Sequence, residues 1–234
     1  MADNQVIIAL DYPSPDLAFK FVEKIQPGSC ALKVGFELFV TAGPAFVEKL
    51  VARGFKVFLD LKFHDIPNTV ANACAAAARL GVWMINVHAS GGTPMMLAAR
   101  EAIDKFDVSQ QPHLIAVTVL TSMDQSTLDS VGVKGEINQV VSQWAAAAEQ
   151  AKLDGVVCSA KEAAIIRSQS HAEFILVTPG IRLPNNSSDD QHRIVSPSDA
   201  RQLGVTHIVV GRPITQAKDP SLALETFLNA FARA

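Results

Sequence analysis

Eight short runs of apolar, β-favouring residues recur along the chain: Val6–Leu10, Ala31–Val34, Val57–Leu61, Trp83–Val87, Leu114–Leu120, Gly155–Cys158, Phe174–Val177 and His207–Val210. Their starts lie 25, 26, 26, 31, 41, 19 and 33 residues apart. Most of the intervals carry apolar residues at helical spacing, such as Leu17, Phe21, Val22 and Ile25, or Phe46, Val47, Leu50 and Val51. Two more, Val70–Leu80 and Val140–Leu153, are alanine-rich and favour helix intrinsically. Strands apolar on both faces that alternate with helices imply a parallel sheet covered by helices. Such a sheet closes in one of two ways, as an open doubly wound sheet or as a (β/α)8 barrel. An open dinucleotide-binding sheet would carry a glycine fingerprint after its first strand. Here that turn reads Asp11-Tyr12-Pro13-Ser14-Pro15, without glycine. Eight strands in 234 residues with even early spacing match a single TIM barrel, a fold of about 250 residues. No linker interrupts it, so residues 1–234 read as one domain.

Composition narrows the partners. Nearly half the residues are hydrophobic (49%) and 20 basic residues face 23 acidic ones. That balance excludes a disordered chain and gives no broad field for nucleic acid or an anionic membrane. The start, Met1-Ala2-Asp3-Asn4-Gln5, lacks the basic and apolar regions of a signal peptide. No apolar stretch approaches the roughly 20 residues that span a bilayer, so a soluble, cytoplasmic protein is expected. Cys30, Cys74 and Cys158 are too few and too scattered for a disulfide framework or a zinc site.

Barrel active sites form at the C-terminal strand ends, and there the polar residues gather. The first run ends in Asp11 and the second contains Lys33. The third continues Asp60-Leu61-Lys62-Phe63-His64-Asp65, the fourth meets His88, and the fifth reaches Thr121-Ser122. The seventh leads into Thr178-Pro179-Gly180-Ile181-Arg182 and the eighth into Gly211-Arg212. Taken singly each has an ordinary explanation: His88 reads as a hydrogen-bonded structural histidine, and His113, His171, His192 and His207 lack ligand spacing. Seven coincidences at one rim are harder to dismiss. Asp60 and Lys62, two apart in a strand, share a face. Charges inside an apolar strand require compensation, which Asp11 and Lys33 on neighbouring strands are placed to supply. A lysine among carboxylates stays protonated and suits a fixed proton donor better than a Schiff-base amine. Arg182 and Arg212 fit the bidentate recognition of phosphate oxygens, and Gly211 permits close backbone approach. The segment 180–197, rich in Pro, Asn, Ser and Asp, reads as a phosphate-binding lid in which Gln191 closes over the anion. A phosphorylated small molecule with its reacting end near Lys62 is expected; the reaction itself does not follow from this.

The segment Asp60–Thr69 closely resembles the signature of the orotidine 5′-phosphate decarboxylase family in its bacterial form. So do Ala9-Leu10-Asp11, Lys33-Val34-Gly35, Val87-His88-Ala89, Thr118–Ser122, Thr178–Arg182 and Val210–Pro213. The likeness runs in order over essentially the whole chain. It implies a cofactor-free, metal-free conversion of orotidine 5′-phosphate to UMP and carbon dioxide, the last step of de novo pyrimidine nucleotide synthesis. In it Lys62 would protonate C6, Asp60 would lie beside the departing carboxylate, and Asp11 and Lys33 would hold the ribose hydroxyls and complete the charged network. Asp65 would join that network from a partner subunit, together with Ile66 and Thr69, in a homodimer with shared sites. Thr121 would contact the pyrimidine, Pro179 would pack nearby, and Arg182, Gln191, Gly211 and Arg212 would bind phosphate. Two alternatives remain beside this one. A metal-dependent phosphosugar decarboxylase, aldolase or epimerase of the same barrel group shares the D-x-K-x-x-D core, and a non-catalytic phosphate-ligand sensor could use the same scaffold.

Overall fold

In the computed structural model, residues 6–183 and 195–232 are described. Eight parallel strands close a barrel in sequence order. They are β1 (Val6–Ala9), β2 (Ala31–Val34), β3 (Lys56–Phe63), β4 (Met84–His88), β5 (His113–Val117), β6 (Gly155–Val157), β7 (Ile175–Pro179) and β8 (His207–Val210). Closure is the parallel pairing of β1 with β8, Val6↔Ile208 through Ile8↔Val210. Every strand foreseen is present. The fifth is shorter than its apolar run, because beyond Val117 the chain turns away, with the Thr118 hydroxyl donating to Val157 O at 2.9 Å.

Strand parity divides the apolar residues into two cores. One set, including Ile7, Ala31, Phe58, Met84, Ile115, Ile175, Val177 and Val209, fills the barrel interior. The alternate set, Ile8, Leu32, Leu59, Ile85, Leu114, Leu176 and Ile208 among them, packs outward against helices such as Pro15–Val22, Pro44–Ala52, Pro67–Arg79, Thr93–Ile103 and Ile137–Gln150. Both faces of the strands are therefore buried, which explains their near-continuous hydrophobicity. Prolines start several of these helices, where a missing N–H is harmless and the fixed φ is already helical. A short helix not foreseen, Phe36–Ala42, follows β2 directly. Gly155 marks a tight seam: a Cβ there would fall 2.1 Å from the Ile175 carbonyl oxygen.

One irregularity shapes the site. β3 and β4 pair at Leu59↔Ile85 and again at Phe63↔Val87, so β3 advances four residues while β4 advances two. The slip accommodates Asp60, Leu61 and Lys62, and Lys62 takes φ +45°, in the left-handed region. Of the segment 180–197, the described parts 180–183 and 195–197 lie side by side through the bridge Ile181↔Val195, with the Arg182 N–H donating to Val195 O at 3.2 Å.

Candidate active site

The polar residues begin where the interior apolar layer ends. Two residues after Ala31 comes Lys33, and two after Phe58 comes Asp60, so both continue the inward face of their strands into a cavity of about 310 Å³ at the C-terminal end of the barrel. Its walls include Asp11, Lys33, Asp60, Lys62, Thr121, Pro179, Arg182, Gly211 and Arg212, interleaved with Ala9, Phe58, Val117, Val157, Val177 and Val209. Nine of the residues anticipated from the strand ends thus line one space.

The charges alternate along the wall. Lys33 Nζ lies 3.6 Å from Asp11 Oδ1 and 3.2 Å from Asp60 Oδ2, and Lys62 Nζ lies 2.7 Å from Asp60 Oδ1. Gly35 leaves room for this arrangement: a Cβ there would sit 3.3 Å from Lys33 Nζ. Asp60 is 8% exposed. Burial pushes its carboxyl up more than any other single influence, but the charges of Lys33 and Lys62 and the hydrogen bonds from Lys62 and Asn86 together outweigh it and hold it below the usual carboxylate range. The site therefore keeps a desolvated carboxylate ionised between two ammonium groups.

Two neighbours of the ladder escaped the sequence reading. Asn86, on β4, is fully buried and donates from Nδ2 to Asp60 Oδ1 at 2.7 Å. Its signal was an amide inside an apolar strand, on the same parity as Met84. The Phe36 ring centroid stands 5.1 Å from Lys62 Nζ, a cation–π distance. His88 is lowered by burial first, then by His64, whose ring centroid lies 5.6 Å away, and by Lys62, with Asp60 opposing. It is therefore uncharged at neutral pH.

Asp65, Ile66 and Thr69 lie outside the walls of this cavity. All three are exposed where β3 passes into the helix Pro67–Arg79, and Asp65 Oδ1 accepts from the Ile66 N–H at 2.6 Å. Gln191 lies outside the described residues. Cys158 is buried, and burial raises its thiol to about 12, which removes it as a nucleophile. Among the described residues no three His, Cys, Asp or Glu side chains gather as ligands for a metal ion.

Comparison with known proteins bears on this geometry. The profile of the orotidine 5′-phosphate decarboxylase / HUMPS family matches residues 4–227. The chain belongs to that family. Over 96% of its length it is 56% identical to the orotidine 5′-phosphate decarboxylase of Pseudoalteromonas atlantica, covering 97% of that protein. Over 99% of its length it is 51% identical to the one from Vibrio parahaemolyticus, covering 99% of it. Among solved structures, the orotidine 5′-phosphate decarboxylase of Lactobacillus acidophilus superposes with a TM-score of 0.89 at 38% identity, over 99% of this chain and all of that one. The D-x-K-x-x-D stretch of this sequence is Asp60, Lys62 and Asp65, and its first two members are joined at 2.7 Å.

Proposed function

We propose that the protein decarboxylates orotidine 5′-phosphate to UMP and carbon dioxide, without metal or cofactor. The observation that carries this reading is the alternating ladder Asp11–Lys33–Asp60–Lys62 in one cavity, in a chain 56% identical to a decarboxylase of that name. Arg182 and Arg212 hold the phosphate, with Gly211 beside them; a Cβ there would be in ordinary contact with Ala9 Cβ at 3.7 Å and Asp11 Oδ2 at 3.8 Å. Thr121 and Pro179 border the pyrimidine, and Asp11 and Lys33 take the ribose hydroxyls. The substrate carboxylate then lies against Asp60. The C6–carboxyl bond breaks, its electron pair stays on C6, and carbon dioxide leaves. Lys62 Nζ, already fixed by Asp60, stabilises that electron pair and transfers its proton to C6, after which solvent returns one proton to the amine. Fixed charge acts here without reorganisation, which bulk water does not offer. Phosphate contacts remote from C6 draw the reacting end into the ladder, so their binding energy is realised in turnover as well as affinity.

The reading extends to a cytoplasmic homodimer in a single-domain chain, with the segment 180–197 as lid. Exposed Asp65 and Thr69 support the shared site, as do the exposed apolar side chains Phe36 (54%), Val40 (82%) and Ile66 (67%) on the elements that follow adjacent strands β2 and β3. Among the described residues no helix is long and apolar enough to cross a membrane. A metal-dependent phosphosugar enzyme is disfavoured because the carboxylates of Asp11 and Asp60 are already bridged by the Lys33 ammonium, which opposes a divalent cation. The decisive experiment follows the loss of orotidine 5′-phosphate absorbance after exhaustive chelation. Activity is expected for the native protein, and Lys62→Ala should lose turnover by at least about 1,000-fold while still unfolding cooperatively as a folded barrel. A folded Lys62→Ala protein that keeps most of its activity would refute the proton-donor assignment.

A further inference from the structure

Asn86 occupies the middle of β4 with no exposed surface, between apolar Ile85 and Val87. A buried amide carries a carbonyl and an NH2 group that both need partners, and here both partners belong to the reacting pair. Nδ2 donates to Asp60 Oδ1 at 2.7 Å, and Oδ1 accepts the backbone N–H of Lys62 at 2.8 Å. Asp60 Oδ1 also accepts from Lys62 Nζ at 2.7 Å. The three bonds close a ring that runs from the Asn86 amide to the Asp60 carboxylate, to the Lys62 ammonium, and back through the Lys62 main chain.

The ring exists because of the slip in β3. Between the pairs Leu59↔Ile85 and Phe63↔Val87 the two strands are out of step, and the regular ladder supplies no strand carbonyl for the Lys62 N–H. The Asn86 side chain supplies one. Lys62 meanwhile holds φ +45°, a conformation that non-glycine residues keep only where their surroundings fix it.

We propose that Asn86 is a positioning residue for the decarboxylation. One half of its amide orients the Asp60 carboxylate, and the other half holds the left-handed backbone of Lys62, so that a single side chain sets the placement of the proton-donating ammonium against its carboxylate neighbour. This rests on the function proposed above. Asp60 supports it: the Asn86 hydrogen bond is one of the influences that lower its carboxyl.

Two substitutions separate positioning from mere packing. Asn86→Leu removes both hydrogen bonds at similar size. It should lower kcat about 10- to 100-fold, as expected for losing a hydrogen bond to a charged group together with one from a backbone N–H, with KM changed less than about threefold because the phosphate contacts are untouched. Asn86→Asp keeps the acceptor for the Lys62 N–H but sets a second carboxyl against Asp60. Two such carboxyls share a proton as the pH falls, and the protonated one restores a donor to its neighbour. The ratio of variant to native kcat should therefore rise as pH is lowered from about 8 to about 5.5, whereas a packing defect gives a flat ratio. Native protein without decarboxylase activity removes the functional reading and this proposal with it. Active native protein combined with an Asn86→Leu variant of native kcat, or one impaired only in KM, overturns the proposal alone. So does a flat Asn86→Asp ratio, and if Asn86→Leu fails to fold, that ratio decides by itself.

Discussion

Replacing Lys33 by methionine would remove an ammonium from the interior of the ladder while keeping an unbranched side chain that fills irregular space. In the native protein its Nζ stands 3.2 Å from Asp60 Oδ2, and the two side chains retain 13% and 11% of their exposure. At an effective dielectric of about 20 that pair attracts by roughly 5 kcal/mol. Lys62 and Asn86 remain on the other oxygen of Asp60, and methionine recovers part of the loss through burial. The net cost should be about 2–3 kcal/mol, below the 3–5 seen when a buried pair loses one partner outright. For a domain of this size that lowers Tm by roughly 4–12 °C at neutral pH. The pH dependence identifies the cause. Asp60 in the native fold lies below its unfolded value of about 3.9. It therefore contributes stability that is complete above that value and is lost as pH falls through the folded one. Without Lys33 the burial effect gains weight and the Asp60 value rises, so the variant takes up a proton first. The gap between the two Tm curves should be widest near neutrality, narrow as pH drops below the variant's Asp60 value, and close below the native one. Scanning calorimetry from about pH 8 to about pH 3 measures it. A gap constant across that range, or a variant as stable as the native protein at pH 7.5, would show that the charge balance at Asp60 is not what Lys33 maintains.

Two further expectations concern the substrate and the assembly. Arg212→Ala should raise KM by about 10- to 100-fold, the range for losing a charge-assisted contact, and should lower kcat as well; kinetics unchanged toward the phosphorylated substrate would remove Arg212 from the phosphate site. Mixing an inactive Lys62→Ala protein with an inactive Asp65→Ala protein should restore activity, since a mixed dimer with shared sites contains one intact centre. No recovery in a mixture shown by native mass spectrometry to have exchanged subunits would contradict site sharing.

Much of this was readable in the chain because a strand obeys a two-residue rule. Ala31 and Phe58 face inward as part of the interior core, so Lys33 and Asp60 must face inward too. The same rule applied to Met84 points to Asn86, which stayed hidden inside a run that reads as uniformly apolar. Lys62 is the instructive case. Regular alternation from Asp60 predicts the shared face, and the two side chains do meet at 2.7 Å, but across a slipped strand and a left-handed residue that no period announces. Phe36 became a neighbour of Lys62 only through the helix Phe36–Ala42, too short for its periodicity to stand out. Asp65, Ile66 and Thr69 owe their assignment to resemblance, since within one chain they are exposed and are not part of the cavity wall.

The slip in β3 also governs which parts of the molecule can be redesigned. Its two surplus residues are absorbed within the barrel wall, clamped below by Leu59↔Ile85 and above by Phe63↔Val87. The ammonium is thus mounted on the scaffold, while Thr121, Arg182 and Arg212 are mounted on the segments after β5, β7 and β8. Under the function proposed above, selectivity for the nucleobase and the phosphate is modular, whereas proton delivery is built into the frame. Transplanting loops from another barrel would change what is held; transplanting the third strand would change what is done to it.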